Sequence, residues 1–185
     1  MKVLMIAPEP FFTPRGTPFS IRSRIQALLA LDHSVDLVTY HIGDDISLPG
    51  LHIYRTPWIA WIRSVVIGPS LTKIFLDILL FGLALARVVR QRYDVIHTHE
   101  EAGLIGTILA PIAKAQHLYD MHSSLPQQLA NFKAYNYGPI VKFLEALERF
   151  VVRRADAVIT ICPELSERVA AIDKARPCFL IENSI

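Results

Sequence analysis

Residues 95–120, VIHTHEEAGLIGTILAPIAKAQHLYD, contain the pattern that decides the fold. Val95 to Thr98 and His117 to Asp120 are short apolar runs that predict buried strands. Ala102 to Ala115 lies between them and has the apolar spacing and length of a helix. A strand, a crossover helix and a further strand predict a parallel pair within an α/β sheet.

The same alternation of strand and helix extends along the whole chain, which predicts one α/β domain over residues 1–185. Its sheet is expected to be doubly wound, mostly parallel and Rossmann-like. The other predicted strands are Val3 to Ala7, Val35 to Thr39, Leu51 to Tyr54, Ala157 to Ile161 and Cys178 to Ile181. The other predicted helices are Pro18 to Leu31, Leu71 to Gln91, Pro139 to Arg154 and Pro163 to Ile172.

The composition suits a sheet that is buried on both faces. Hydrophobic residues make up 52% of the chain and charged residues only 19%, as expected for parallel strands covered by helices. The net charge of +2 is too small for a nucleic-acid-binding protein, which needs a concentrated basic face. Two unpaired cysteines and the lack of an N-terminal signal peptide predict a reduced, cytoplasmic protein.

The most apolar helix is the strongest candidate for a membrane span, but Ile74 to Ala86 is too short, since a span needs about 20 residues. Lys73, Asp77 and Arg87 lie on one narrow polar stripe and the other faces are apolar. This distribution predicts a mostly buried core helix.

Ligands of open parallel sheets bind beyond the carboxyl ends of the strands. Residues 8–17, the residues from His97 to Glu101 and the string Asp120-Met121-His122-Ser123-Ser124 follow three such strands and are expected to meet at one rim. Gly16 precedes a helix, so backbone N–H groups there can approach a diphosphate, although a plain turn is the favoured explanation of the glycine taken alone. The sequence lacks the two common glycine-rich nucleotide fingerprints.

Histidines at this rim are the other candidate ligands. His97 and His99 are expected on the same face of a strand, where with Glu100 and Glu101 they could bind a metal ion. No second ligand cluster accompanies them, so structural or acceptor-binding roles are favoured and no metal is predicted. His122 can hydrogen-bond a phosphate or a sugar hydroxyl, or it can be a structural histidine.

In its motifs and their order, the chain resembles the N-terminal domain of the group 1 glycosyltransferases, also called family 4, which have the GT-B fold. The resemblance covers essentially the whole chain. Its motifs are MKVLMIAP at 1–8, the Gly16 loop, ALDHSVDLV at 30–38, YDVIHTH at 93–99, the His122 segment, ADAVIT at 155–160 and LIENS at 180–184.

The resemblance implies retaining transfer of a sugar from an NDP-sugar to an acceptor bound mainly by this half. It implies that His122 contacts the donor sugar and phosphate, that the Gly16 loop lies against the diphosphate, and that no metal cofactor is required. His122 is therefore the predicted catalytic residue. The predicted substrate-binding residues are Arg15, Gly16, Thr17, His99, Glu100 and Ser123.

Two departures from the family pattern affect these expectations. Arg15-Gly16-Thr17 stands where the family has paired glycines, and the chain ends at Ile185, where a nucleotide-sugar-binding C-terminal domain would begin. This domain alone is therefore expected to be inactive. Half of another GT-B enzyme, such as a sugar-nucleotide epimerase, and a non-catalytic flavodoxin-like binding domain are the alternatives.

Aromatic residues near the rim are compatible with a glycan, polysaccharide or lipid-linked acceptor. Trp58, Ile59, Trp61 and Ile62, beside Arg63, resemble a patch that binds the inner face of a membrane. A buried loop is the alternative explanation of these residues.

Overall fold

A computed structural model describes residues 1–13, 16–65, 70–124, 126 and 138–182 of the chain. The strands are β1 Lys2–Ala7, β2 Ser34–Thr39, β3 Leu51–Arg55, β4 Val95–His99, β5 Gln116–Met121, β6 Ala157–Thr160 and β7 Cys178–Leu180. The helices are α1 Gly16–Ala30, α2 Leu71–Arg90, α3 Gly103–Ala113, α4 Gly138–Arg154 and α5 Pro163–Ile172. A short 3-10 turn, Glu100–Ala102, joins β4 to α3.

The seven strands of the described residues form one sheet in the order β3-β2-β1-β4-β5-β6-β7. All six neighbouring pairs are parallel. The strand order reverses direction between β1 and β4, which is the position where doubly wound sheets bind ligands. The predicted doubly wound, Rossmann-like sheet is confirmed, and it is parallel throughout rather than mostly parallel.

Strand β1 lies at the centre of the sheet and is buried on both faces. Leu4 and Ile6 pack with side chains of α2 and α3, whereas Val3 and Met5 pack with Ile21 and neighbouring residues of α1. Alternate residues of a strand point to opposite faces. The uninterrupted apolar sequence of β1 is therefore the direct consequence of helices covering both faces of the sheet.

Helix α2 is buried on one face only. Its N-cap is Ser70, whose side chain accepts a hydrogen bond from the backbone N–H of Lys73 at 3.2 Å. Leu76, Leu80, Ala84 and Val88 are buried against the sheet, but several apolar residues of the opposite face are exposed. The prediction of a mostly buried core helix is wrong, because α2 is covered by the sheet and its neighbours along one side only.

Within the described part of the chain, no helix combines the length and the apolar character that crossing a membrane requires.

Helix α3 packs unusually close to the sheet at two glycines. A Cβ atom on Gly106 would lie 2.2 Å from Nε2 of His117 and 2.6 Å from Cγ2 of Thr98. A Cβ atom on Gly103 would lie 2.8 Å from the ring of Tyr119. The absence of side chains at these positions lets α3 approach β4 and β5, which fixes the start of α3 next to the rim.

We expect Gly106→Ala to lower the free energy of unfolding by about 1–3 kcal/mol, since overpacking a dense interior forces side chains and backbone to shift. Gly82→Ala is the matched control, because a Cβ atom there meets nothing within 4 Å. That substitution, in an exposed part of α2, should be neutral or stabilising by up to ~1 kcal/mol. Chemical denaturation of both variants measures the difference, and equal stabilities would contradict the close packing of α3.

Candidate functional site

A buried carboxylate, Asp120, lies at the carboxyl end of β5. Its side chain has no solvent exposure, and Nε of Arg24 on α1 lies 3.1 Å from its Oδ2 atom. Arg24 also donates through Nη2 to the backbone carbonyl of Ile181, at 3.1 Å, just after β7. A buried charge needs such a partner, because desolvation of an isolated carboxylate is costly.

Three imidazoles surround the same carboxylate. Nε2 of His97 lies 3.5 Å from Oδ2 of Asp120, and Nε2 of His122 lies 3.3 Å from Oδ1. Nδ1 of His99 lies 3.1 Å from Nε2 of His122. The rings of His97 and His99 stack with their centroids 4.6 Å apart, which confirms that both side chains lie on the same face of β4.

The environment of the cluster favours a charged carboxylate beside neutral imidazoles at His99 and His122. Burial raises the pKa of Asp120, but contact with His97 and the influence of His99 and His122 outweigh it and hold that pKa well below its ordinary value. Burial lowers the pKa of His99 and of His122. At neutral pH, Arg24 is therefore the positive charge that balances Asp120.

A second contact joins the loops that follow β4 and β5. Oγ of Ser123 donates to Oε2 of Glu100 at 2.7 Å. Burial raises the pKa of Glu100 to about 7, although this hydrogen bond lowers it. Glu100 can therefore gain or lose a proton near neutral pH. The adjacent Glu101 forms an ion pair with Lys73 of α2.

The structure thus brings together four of the predicted site residues, His99, Glu100, His122 and Ser123, in two neighbouring pairs. Gly16 and Thr17 are the first residues of α1, which begins earlier than the predicted Pro18. No hydrogen bond or ion pair among the described residues links Gly16 or Thr17 to the histidines. Arg15 lies outside the described residues.

Gly16 has a backbone conformation that favours glycine. Its φ of +47° is one that other residues rarely adopt, and a Cβ atom there would meet nothing within 4 Å. Glycine is therefore favoured at this position by the backbone conformation, and not by a close contact that a side chain would obstruct.

Sequence reasoning missed Arg24. Ile21 and Ile25 are fully buried on α1, and Arg24 lies on the same stripe of the helix, because residues three or four apart share a face. A cation within an apolar stripe indicates a buried anionic partner. That signal was present in the sequence, although it could not identify Asp120 as the partner.

His97, His99 and Asp120 are also the described residues that could hold a metal ion, since their ligand atoms all lie within 4.8 Å of one another. Arg24 contacts the Oδ2 atom that such an ion would use. A bound cation would thus face a buried guanidinium at short range, which disfavours it electrostatically. Metal independence remains a prediction.

The aromatic residues near the rim divide into buried and exposed groups. Phe11 and Phe12 belong to the core, and the backbone of Phe12 exchanges hydrogen bonds with Asp44 at 2.9 and 3.1 Å. Trp58 and Trp61 are 71% and 82% exposed, in contrast with Ile59 and Ile62, which are buried. The segment 58–63 is therefore buried in part, since its isoleucines anchor it and its tryptophans face solvent, and the membrane patch stays a prediction.

Comparison with known proteins identifies the family. Residues 15–181 match the model of the glycosyl transferase 4-like domain. The chain belongs to this family. A search of curated proteins finds no match.

Solved structures of GT-B glycosyltransferases share the fold of this glycosyl transferase 4-like domain, and each aligns with all of it. Sucrose-phosphate synthase from Thermosynechococcus elongatus has 18% identity and a TM-score of 0.77, and the chain covers 48% of it. HepE from Anabaena, solved in complex with UDP, has 16% identity, a TM-score of 0.55 and 44% coverage. A UGT transferase from Siraitia grosvenorii, also with UDP, has 11% identity, a TM-score of 0.55 and 50% coverage. The domain therefore spans about half the length of these proteins.

We expect Asp120→Asn to lower the free energy of unfolding of this glycosyl transferase 4-like domain by about 3–5 kcal/mol, because Arg24 would remain buried without its counter-charge. Asp45→Asn is the matched control. Asp45 also accepts from an arginine Nε, that of Arg55 at 3.0 Å, but its side chain is 83% exposed. An exposed pair contributes only about 0–1 kcal/mol. Urea denaturation compares the two, and a similar loss in both variants would show that burial of Asp120 does not matter.

Proposed function

We propose that this domain is the acceptor-side half of a retaining glycosyltransferase that transfers a sugar from an NDP-sugar to a glycan or lipid-linked acceptor. The family match supports a transferase over an epimerase or a non-catalytic flavodoxin-like domain. Two structures that share the fold were solved with UDP. The observation that carries the proposal is the position of His122, held by Asp120 and His99 at the carboxyl ends of the strands.

The surroundings of His122 suggest how it acts. Its Nε2 atom faces Asp120 and His99, so Nδ1 is the ring nitrogen that remains for a substrate. When Nε2 carries the proton and donates to Nδ1 of His99, Nδ1 of His122 is an acceptor for a hydroxyl of the donor sugar. The charge of Asp120 also stabilises a protonated ring as negative charge develops on the leaving diphosphate. In this role His122 positions the sugar and balances charge, and it is not a covalent nucleophile.

The remaining predicted residues divide between the two substrates. The backbone N–H groups of Gly16 and Thr17 are proposed to face the diphosphate at the N-terminus of α1, where the helix dipole favours an anion. Arg15, which lies outside the described residues, stays a predicted substrate-binding residue. His99, Glu100 and Ser123 are proposed to contact the acceptor side. Since burial raises the pKa of Glu100 to about 7, this carboxyl can exchange a proton with an acceptor hydroxyl near neutral pH.

The reaction is proposed to need a second, nucleotide-sugar-binding domain. The chain covers 48% of the sucrose-phosphate synthase that it resembles in fold. In the proposed GT-B arrangement, the substrates meet in a cleft between two such domains. The proposed transfer uses helix dipoles and basic side chains instead of a metal ion to offset the charge of the diphosphate.

We expect His122→Ala to lower kcat by about 10²–10³ in an active protein that contains this domain, because the protonated ring proposed to face the leaving diphosphate is a preorganised donor and removing one such donor usually has this effect. The melting temperature should change little in comparison. His97→Ala should lower kcat less, because His97 contacts Asp120 rather than the substrate. His52→Ala is the neutral control, since that side chain is 66% exposed at the opposite end of the sheet.

Steady-state kinetics and thermal melts of the three variants test the assignment together. Near-normal turnover of His122→Ala with an unchanged melting temperature would show that His122 does not contact the donor. Unfolding of that variant would show instead that the histidine is structural.

We also expect the 185-residue chain to fold alone, to transfer no sugar, and to bind UDP- or GDP-sugars weakly. The physical reason is that most donor contacts are proposed to lie on the second domain. Circular dichroism measures folding, and isothermal titration calorimetry measures binding. Micromolar affinity of the isolated chain for an NDP-sugar would contradict this division of the site.

A further inference from the structure

The outer face of the first two turns of α2 is apolar and open to solvent. Leu71, Ile74 and Ile78 are 86%, 58% and 63% exposed, and Phe75 is 44% exposed. Helices on the surface of a globular domain ordinarily present polar side chains on this face. A contiguous apolar surface of this kind usually marks a site of interaction.

The two ionisable side chains between Leu71 and Ala86 point away from that face. Lys73 forms an ion pair with Glu101, and the Tyr40 hydroxyl donates to Oδ1 of Asp77 at 2.5 Å. Burial raises the pKa of Asp77 to about 7, so this carboxyl sits in a poorly solvated environment. The first two turns of the helix therefore direct both of their charged side chains toward the domain and leave apolar side chains exposed on the outer face, where polar residues are usual.

The exposed tryptophans extend the apolar surface of α2. Trp61, Leu71 and Phe75 line one groove with a volume of about 400 Å³. Trp58 lines the next cavity together with Arg63. Buried Ile59 and Ile62 fix the segment, so the two indole rings project from an anchored base. We call the exposed set, Trp58, Trp61, Leu71, Ile74, Phe75 and Ile78, the tryptophan–helix patch.

We propose that the tryptophan–helix patch docks the domain on the interfacial region of an anionic lipid bilayer. Tryptophan is enriched at the level of the lipid head groups, where its ring lies among acyl chains and its N–H remains hydrated. Exposed Arg63 lies at the edge of the patch beside Trp58, and the chain has a net charge of +2. The exposed Arg63 and the net positive charge of the chain to which it contributes complement anionic head groups. Because Lys73 is paired inward, the patch itself carries no charge that would have to be desolvated in the membrane.

Trp58 and Trp61 are the only two tryptophans of the chain, so intrinsic fluorescence reports on this patch alone. The experiment titrates the 185-residue chain with vesicles of phosphatidylcholine, with and without phosphatidylglycerol, and repeats it with lipids brominated on the acyl chains. We expect the emission to shift to shorter wavelength and to be quenched by the brominated lipids, with stronger binding to the anionic vesicles. This inference does not depend on the proposed transfer reaction.

The double variant Ile74→Glu, Ile78→Glu retains both tryptophans and alters exposed positions only. We expect it to lower the vesicle partition coefficient about tenfold or more, a loss that corresponds to about 1.4 kcal/mol. Phe143→Glu on α4 is the matched control, since that side chain is 66% exposed and lies outside the patch. It should bind vesicles like the unmodified chain.

Three outcomes would overturn the proposal. Emission that does not change with either vesicle shows that the patch does not enter lipid. A shift to shorter wavelength on concentrating the chain without lipid, together with a dimer by light scattering, identifies a second copy as the occupant. Loss of the lipid-dependent shift when the chain is joined to a nucleotide-binding domain identifies that domain as the occupant.

Discussion

The geometry of the rim depends on one buried charge, the carboxylate of Asp120. A carboxylate without solvent exposure is tolerated only when the fold supplies compensating partners. Arg24 supplies the counter-charge from α1, and the imidazoles come from the end of β4 and the turn after β5. Stability and site geometry are therefore coupled, because the contacts that balance Asp120 are the ones that orient His122.

The sequence predicted the strands well because burial on both faces leaves a strong pattern. All seven predicted strands exist, and their ends differ from the observed ones by no more than about one or two residues, the usual uncertainty of such boundaries. The start of α1 was placed at Pro18, whereas Gly16 already belongs to the helix. A positive φ at Gly16 does not follow from residue preference, since glycine is compatible with many conformations.

Two features of the structure could not be predicted from the sequence. The convergence of His99 and His122 followed from the topology, but the role of Arg24 requires knowledge of how α1 crosses the carboxyl end of β5, 96 residues away in sequence. The prediction that α2 is mostly buried is wrong for a different reason. An apolar helix with one polar stripe suggests burial on the other faces, yet the stripe of Lys73 and Asp77 faces Glu101 and Tyr40 inside the domain. Periodicity shows which residues share a face, and it does not show which face is covered.

The inward charges of α2 also connect the two surfaces of the domain. Lys73 binds Glu101, and the neighbouring Glu100 accepts a hydrogen bond from Ser123, which follows His122 in the chain. Two polar contacts, connected through the backbone between Glu100 and Glu101, therefore link the first turn of α2, next to the tryptophan–helix patch, to the loop that carries His122. Because neither Lys73 nor Glu100 can move without breaking a partly buried contact, the orientation of the patch and the position of the rim are fixed relative to each other. Docking of the patch on a lipid surface, as proposed, would accordingly hold the rim in one defined orientation toward that surface, and a fixed orientation of this kind is what positions one reactant toward another.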